Sequence, residues 1–174
     1  MAKKTAIGED EPRGRASRCG KAMNYLDANF ATALHFNIEG QTALAERFAR
    51  KTSSGFVLSP LAELECRRAF ILLAGHARSE NWLRLASKLD SGEWIHSSIQ
   101  WDRMAEKSAE LMDKFGGRLK AGTLDTLHVA LALLSGCTRF LSFDTNSNAR
   151  VLAASVRLKI YPDLSPEERS RTLH

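Results

Sequence analysis

The stretch Gly122 to Leu152 (GTLDTLHVALALLSGCTRFLSFDTNSNARVL) constrains this chain more than any other. Leu124, Leu127, Ala130, Leu131 and Leu134 recur at helical spacing, and Gly136 stands where a helix C-terminus is expected. The apolar run Phe140-Leu141-Ser142-Phe143 then reads as a core strand, with a second helix after it. Each helix opens beside an aspartate: Asp125 in the first turn of one, Asp144 at the C-terminal end of the strand that precedes the other. One carboxylate at a helix N-terminus is stabilised by the helix dipole and needs no further explanation. Two of them, both at the carboxyl edge of a parallel sheet, point to a site.

The upstream sequence repeats this alternation. Asn24 to Asn29 (NYLDAN) reads as a short strand ending around Asp27, followed by helical stretches at Phe30 to Phe36 and Gln41 to Lys51. Phe56 to Leu58 is the next core strand. Ser59 and Pro60 have the residue types of an N-cap and a first helical position, and the helix they open, Leu61 to Ala74, carries Glu63 and Glu65 in its first turns. A helix at Arg78 to Ser87, a strand at Glu93 to Ser97 and an amphipathic helix at Trp101 to Phe115 follow, and Leu158 to Tyr161 reads as a closing strand. Strands alternating with helices predict a three-layer α/β/α fold around a central, mainly parallel sheet of about five strands. Strand C-termini and helix N-termini then share one edge, which draws Asp27, Asp125, Asp144 and an early-helix glutamate together.

Clustered carboxylates repel, and a hard divalent cation relieves that repulsion. Mg²⁺ takes oxygen ligands, and such ions promote phosphodiester hydrolysis. The chain offers no better chemistry. It has no GxSxG elbow, its cysteines (Cys19, Cys66, Cys137) form no CxxC, and its histidines (His35, His76, His96, His128, His174) form no HExxH. His128 lies three residues after Asp125, and an oxygen-preferring ion favours a packing or hydrogen-bonding role for it over ligation. Asn29 and Thr145 adjoin acidic positions and are candidates to orient a carboxylate or water. Trp82, Trp94 and Trp101 read as packing residues, and Arg67 and Arg68 as a solvated helix face that can also meet phosphates.

A length of 174 residues suits one domain. The net charge is +5, but residues 1–22 hold six Lys/Arg against three Asp/Glu, so most of the excess lies there. With few large apolar side chains, those 22 residues are expected to be a disordered basic extension. Their GRASRCGKA run is no phosphate loop, since five residues rather than four separate Gly14 from Gly20 and Ala22 follows Lys21. Residues 163–174 read as a polar tail. No apolar run is long enough to cross a bilayer and no signal-peptide core is present, so the expectation is no membrane association and a cytoplasmic location.

Four blocks occurring in order, YLDAN, LAELECRRAF, LDTLHVALAL and FLSFDTNSNARVLAASVRLKIYP, resemble the PIN domain, and within it the VapC-like toxins of type II toxin–antitoxin modules. The resemblance spans residues 23–162. It implies catalytic residues Asp27, Asp125, Asp144 and a helix glutamate, with Asp27, Asp125 and Asp144 as ligands of Mg²⁺ or Mn²⁺. The family's Glu, two residues, Arg, small-residue pattern fits Glu65-Cys66-Arg67-Arg68-Ala69 and favours Glu65; an AEL motif would favour Glu63. The two glutamates lie about 200° apart around a helix and are not equivalent. Many relatives carry an arginine three residues before the third acid, where this chain has Gly122. The resemblance implies a metal-dependent endoribonuclease toxin acting on RNA, usually a homodimer, inhibited by a cognate VapB-like antitoxin.

A catalytically inactive PIN-like module for binding protein or RNA is the alternative, and the complete acidic set argues against it. A haloacid-dehalogenase-like phosphatase would need an aspartate where Asn29 stands. Leu64, Phe70, Leu73, Trp82 and Leu85 exceed the apolar needs of a small core, which predicts a groove for an antitoxin helix.

Overall fold

The structure is a computed structural model and describes residues 22–98 and 100–173. The expected disordered extension lies outside the described residues except at Ala22.

Five short strands form the sheet: β1 (Met23–Leu26), β2 (Gly55–Leu58), β3 (Trp94–His96), β4 (Arg139–Leu141) and β5 (Lys159–Tyr161). Their order is β3-β2-β1-β4-β5 and every pairing is parallel. The chain thus moves outward from β1 in one direction to β3, then returns to lay β4 along its other side. That reversal leaves a crevice between the C-terminal ends of β1 and β4, the place where parallel sheets bind ligands.

Alternation along the strands divides the core in two. Tyr25, Val57 and Phe140 face one helical layer, packing with Met104, Leu111, Phe115, Val129 and Leu152. Leu26, Leu58, Trp94 and Leu141 face the other, packing with Phe30, Ala45, Cys66, Phe70 and Leu85. The second layer is built by α1 (Ala28–Ala33), α2 (Thr42–Lys51), α3 (Pro60–Ala74) and α4 (Glu80–Asp90). The first is built by α5 (Trp101–Leu111), a π-helical turn at Met112–Gly116, α6 (Gly117–Leu119), α7 (Thr123–Leu134) and α8 (Ala149–Ser155). A last helix, α9 (Pro166–Arg171), packs against α8. The expected three-layer α/β/α architecture is present, with a wholly parallel sheet.

Local chemistry explains the helix limits. Ser59 caps α3, its Oγ accepting from the Ala62 N–H, with Pro60 at the first position. Gly75 ends that helix at φ 78°, a left-handed conformation that suits glycine. Ser79 caps α4 by accepting from the Trp82 N–H.

Several boundaries differ from expectation, each for a physical reason. β1 stops at Leu26 because Asp27 already caps α1. The helix expected beside Asp144 begins only at Ala149, because the Asp144 carboxylate first ties down the amides of Asn146 and Ser147 in a side-chain turn. The expected polar tail contains α9, whose Glu168 is only 2% exposed. Of the five residues expected to line a partner groove, Phe70 and Leu85 belong to the core and Trp82 packs against it. Leu64 and Leu73 are exposed, along with Leu72 and Leu83. Trp94 is buried and Trp101 exposed.

Candidate active site

The crevice between β1 and β4 opens into a cavity of about 650 Å³, lined by residues from four helices and three connecting segments. Asp27, Glu65, Asp125 and Asp144 all line it, together with Asn29, Arg68 and His128. Residues separated by more than a hundred positions in sequence are brought together here. Glu63 takes a different direction, as the helical angle requires, and its Oε2 accepts from His96 Nε2 at 2.8 Å outside the cavity.

Asp27 is the most enclosed of the four acids, at 8% exposure. Its Oδ1 accepts from the Ala28 N–H at 2.8 Å, and its Oδ2 accepts from Ser142 Oγ at 2.6 Å and Asn29 Nδ2 at 2.9 Å. Asn29 in turn accepts the Phe143 N–H through Oδ1, and Ser142 Oγ accepts the Asp144 N–H. Those two residues fasten the end of β4 to the start of α1 and hold the carboxylate in one orientation. Burial pushes the Asp27 carboxyl above its usual range, helped by the Glu65 charge, despite the opposing effects of His128 and the Ser142 hydrogen bond.

Asp125 and Asp144 are held by backbone. Asp125 Oδ2 accepts from the Gly122 N–H at 3.1 Å and from the Asn148 N–H at 3.3 Å. Asp144 Oδ1 accepts from Asn146 and Ser147. Each aspartate has a second oxygen with no protein partner among the described residues. Thr145 is exposed and does not line the cavity.

His128 is 5% exposed and engaged at both nitrogens. Nε2 donates to Glu65 Oε2 at 2.9 Å, and Nδ1 lies 2.9 Å from the hydroxyl of Tyr25, which reaches Ser59 Oγ at 2.7 Å. Burial works against a charged imidazole, yet the Glu65 hydrogen bond and the charges of Asp27, Glu65 and Asp125 together raise its pKa. An imidazolium donates from both nitrogens, which this chain of partners accepts. One potential ligand atom from each of Asp27, Glu65 and His128 falls within 4.8 Å of the others. The imidazole is already committed on both sides, so the donors left to a cation are carboxylate oxygens. Oxygen donors of this kind suit a hard divalent cation.

Tyr25, Ser142 and Asn148 are not marked as site residues by the sequence, and Ser59 is marked only as a helix cap. For Ser142 one signal exists, a hydroxyl inside the otherwise apolar run Phe140 to Phe143. Tyr25 is fully buried and carries no sequence mark that separates it from a core aromatic. Burial pushes the Cys66 thiol upward as well, and Cys137 to about 12, so neither described cysteine is an activated nucleophile.

Solved structures share this architecture. VapC20 of Mycobacterium tuberculosis, a sarcin-ricin loop cleaving toxin, superimposes with a TM-score of 0.62 at 16% identity, covering 81% of this chain and 100% of its own. FitAcB from Neisseria gonorrhoeae superimposes at 0.52 with 12% identity, covering 79% of this chain and 95% of its own. At these identities the likeness is one of fold. No curated protein sequence matches the chain. The PIN domain family matches residues 25–151, which include all four acids of the cavity, the whole of β4 and the C-terminal half of β1. The chain belongs to the PIN domain family.

Proposed function

We propose that this protein is a Mg²⁺- or Mn²⁺-dependent endoribonuclease toxin, restrained by a VapB-like antitoxin. The observation that carries the reading is the convergence of Asp27, Glu65, Asp125 and Asp144 on one cavity at the switch point of the sheet. Capping and turn contacts explain Asp27, Asp125 and Asp144 singly, and the His128 pairing explains Glu65, but neither explains why all four share a cavity with a buried, raised-pKa member.

Asp27, Asp125 and Asp144 would hold the cation, which when bound supplies charge stabilisation at the phosphodiester undergoing hydrolysis. The protein's own groups do the rest. Ser142 and Asn29 hold Asp27 in orientation, and His128 does the same for Glu65. Glu65 Oε1 accepts a proton from the water whose oxygen bonds to phosphorus as the phosphorus–oxygen ester bond breaks, and the departing ribose oxygen takes up a proton from solvent water. Arg68, the one Lys or Arg among the lining residues, binds a neighbouring phosphate of the strand, a role that Gly122 cannot fill. Arg67 instead stacks on Trp82, its guanidinium carbon 4.8 Å from the ring centre.

The likeness of fold to VapC20 supports RNA as the substrate. Leu64, Leu72, Leu73 and Leu83 are each more than half exposed on α3 and α4, an apolar surface that suits an antitoxin helix or a second copy of the chain. No helix among the described residues is long and apolar enough to cross a membrane, and we place the protein in the cytoplasm as a homodimer. The test is cleavage of total RNA by the purified protein with Mg²⁺, with Mn²⁺ and with EDTA, beside Asp27→Asn. Activity that persists in EDTA, or in the variant, rejects the metal-nuclease reading. Protection from hydrogen exchange at residues 61–90 by the antitoxin tests the docking surface.

A further inference from the structure

Arg150 is the largest of the fully buried side chains, at 2% exposure. A charge so placed is strongly unfavourable unless every donor is paired. Its Nε donates to Glu168 Oε1 at 2.7 Å, and its Nη2 to Glu168 Oε2 at 3.2 Å and to the carbonyls of Pro162 at 3.0 Å and Asp163 at 3.1 Å. Its Nη1 donates to the carbonyl of Ser142. Glu168 Oε2 also accepts from the Ser165 N–H at 2.8 Å, closing a capping box at the start of α9. One guanidinium thereby joins α8, α9 and the residue just past β4.

That residue is Ser142, whose hydroxyl donates to Asp27 and accepts the Asp144 amide. A second, independent link leaves α9 at its other end. Arg171 Nη1 donates to Asn148 Oδ1 at 2.7 Å, and the Asn148 N–H donates to Asp125 Oδ2. Asn148 also donates through Nδ2 to the carbonyl of Lys120 at 3.3 Å. Two arginines therefore connect α9, which lies beyond the residues matched by the family, to three of the four acids through one intervening residue each.

A buried ion pair contributes little stability compared with an apolar pair of the same volume. What it supplies is direction, because several fixed donors must meet several fixed acceptors. We propose that α9 is a brace for the acidic cavity, with Glu168 and Arg171 as positioning residues that act through Arg150–Ser142 and through Asn148. The inference rests on the acidic cavity being the functional site.

The test uses the full chain and Mn²⁺ alone as probe. Binding is followed by electron paramagnetic resonance, and backbone amides by NMR without metal, for Glu168→Gln, Arg171→Gln and Arg171→Lys, with Asp27→Asn as reference. Glu168→Gln is expected to weaken Mn²⁺ binding about tenfold, the low end of the loss for a ligand's direct partner, because Arg150 and Ser142 stand between it and Asp27. Arg171→Gln should melt as the native chain does, weaken Mn²⁺ binding about tenfold and shift the amides of Asn148 and Asp125. Arg171→Lys, which keeps a donor, should restore both. If folded Glu168→Gln and Arg171→Gln bind Mn²⁺ as tightly as the native chain and leave residues 142–148 unshifted, the brace is refuted. Should Glu168→Gln not fold, the Arg171 pair decides alone. A native chain that binds Mn²⁺ no better than Asp27→Asn refutes the cation reading instead, and the amide shifts then decide the brace.

Discussion

His128 Nε2 and Glu65 Oε2 are 2.9 Å apart, joining α7 to α3 across the floor of the acidic cavity. The imidazole owes its raised pKa to Glu65 and to the charges of Asp27 and Asp125, which outweigh burial. Replacing Asp27 with Asn removes one of those charges, so the His128 pKa should fall. Titration of the imidazole by NMR measures this directly, and an unchanged midpoint would show that the two groups do not interact.

The same pKa shifts determine how stability depends on pH without a cation. A group whose pKa is raised on folding stabilises the folded state below its unfolded pKa and loses that contribution as pH climbs through the folded value. His128 therefore favours folding fully below about pH 6.5 and progressively less above it, and Asp27 acts likewise from 3.8 upward. The metal-free melting temperature should decline from pH 6.5 upward, and Mg²⁺ should recover part of the loss because it binds the ionised carboxylates of the folded state alone. Calorimetry with and without Mg²⁺ would detect it. A melting temperature that rises over that range in EDTA contradicts the assignment.

Glu65 and Glu63 sit two residues apart yet meet different partners, His128 in one case and His96 in the other. Glu65→Gln and Asp125→Asn should each lower RNA cleavage ~10²-fold or more, the scale of one lost electrostatic contact in a transition state. Glu63→Gln should leave cleavage near the native rate. Equal losses for both glutamates would mean that the cavity is not where the chemistry occurs.

Arg68 is the arginine lining the cavity. Its truncation to Ala should raise KM for RNA about tenfold or more, the value of one charge-assisted hydrogen bond, while kcat changes less. The salt dependence of binding should flatten by about one counterion. An effect confined to kcat would place Arg68 in the chemical step instead.

Phe140 lies 5.4 Å from Tyr25 in a stacked pair at the centre of one core layer, and both are fully buried. Phe140→Ala should cost about 3–5 kcal/mol in denaturant unfolding. It should also loosen the Tyr25–His128 contact, shifting the His128 ring resonances even where the chain remains folded.

The alternation of strands and helices, the capping of α3 by Ser59 and Pro60, and the placement of Asp27, Asp125 and Asp144 near one sheet edge are legible in the amino-acid order alone. These are local properties. Side-chain period, cap chemistry and strand direction are written within a few residues, and a parallel sheet then aligns all its carboxyl ends without further instruction. Tertiary structure decided the rest. Ser142 finds Asp27 across 115 residues, Tyr25 finds His128 across 103, and Arg150 finds Glu168 across 18. No periodicity encodes such pairings, because they depend on which side chains two packed layers leave facing each other and on burial that makes each unpaired polar group costly. The polar residues of 163–174 look like a solvated tail for the same reason: Glu168 acquires its partner only once α8 has docked and Arg150 is enclosed.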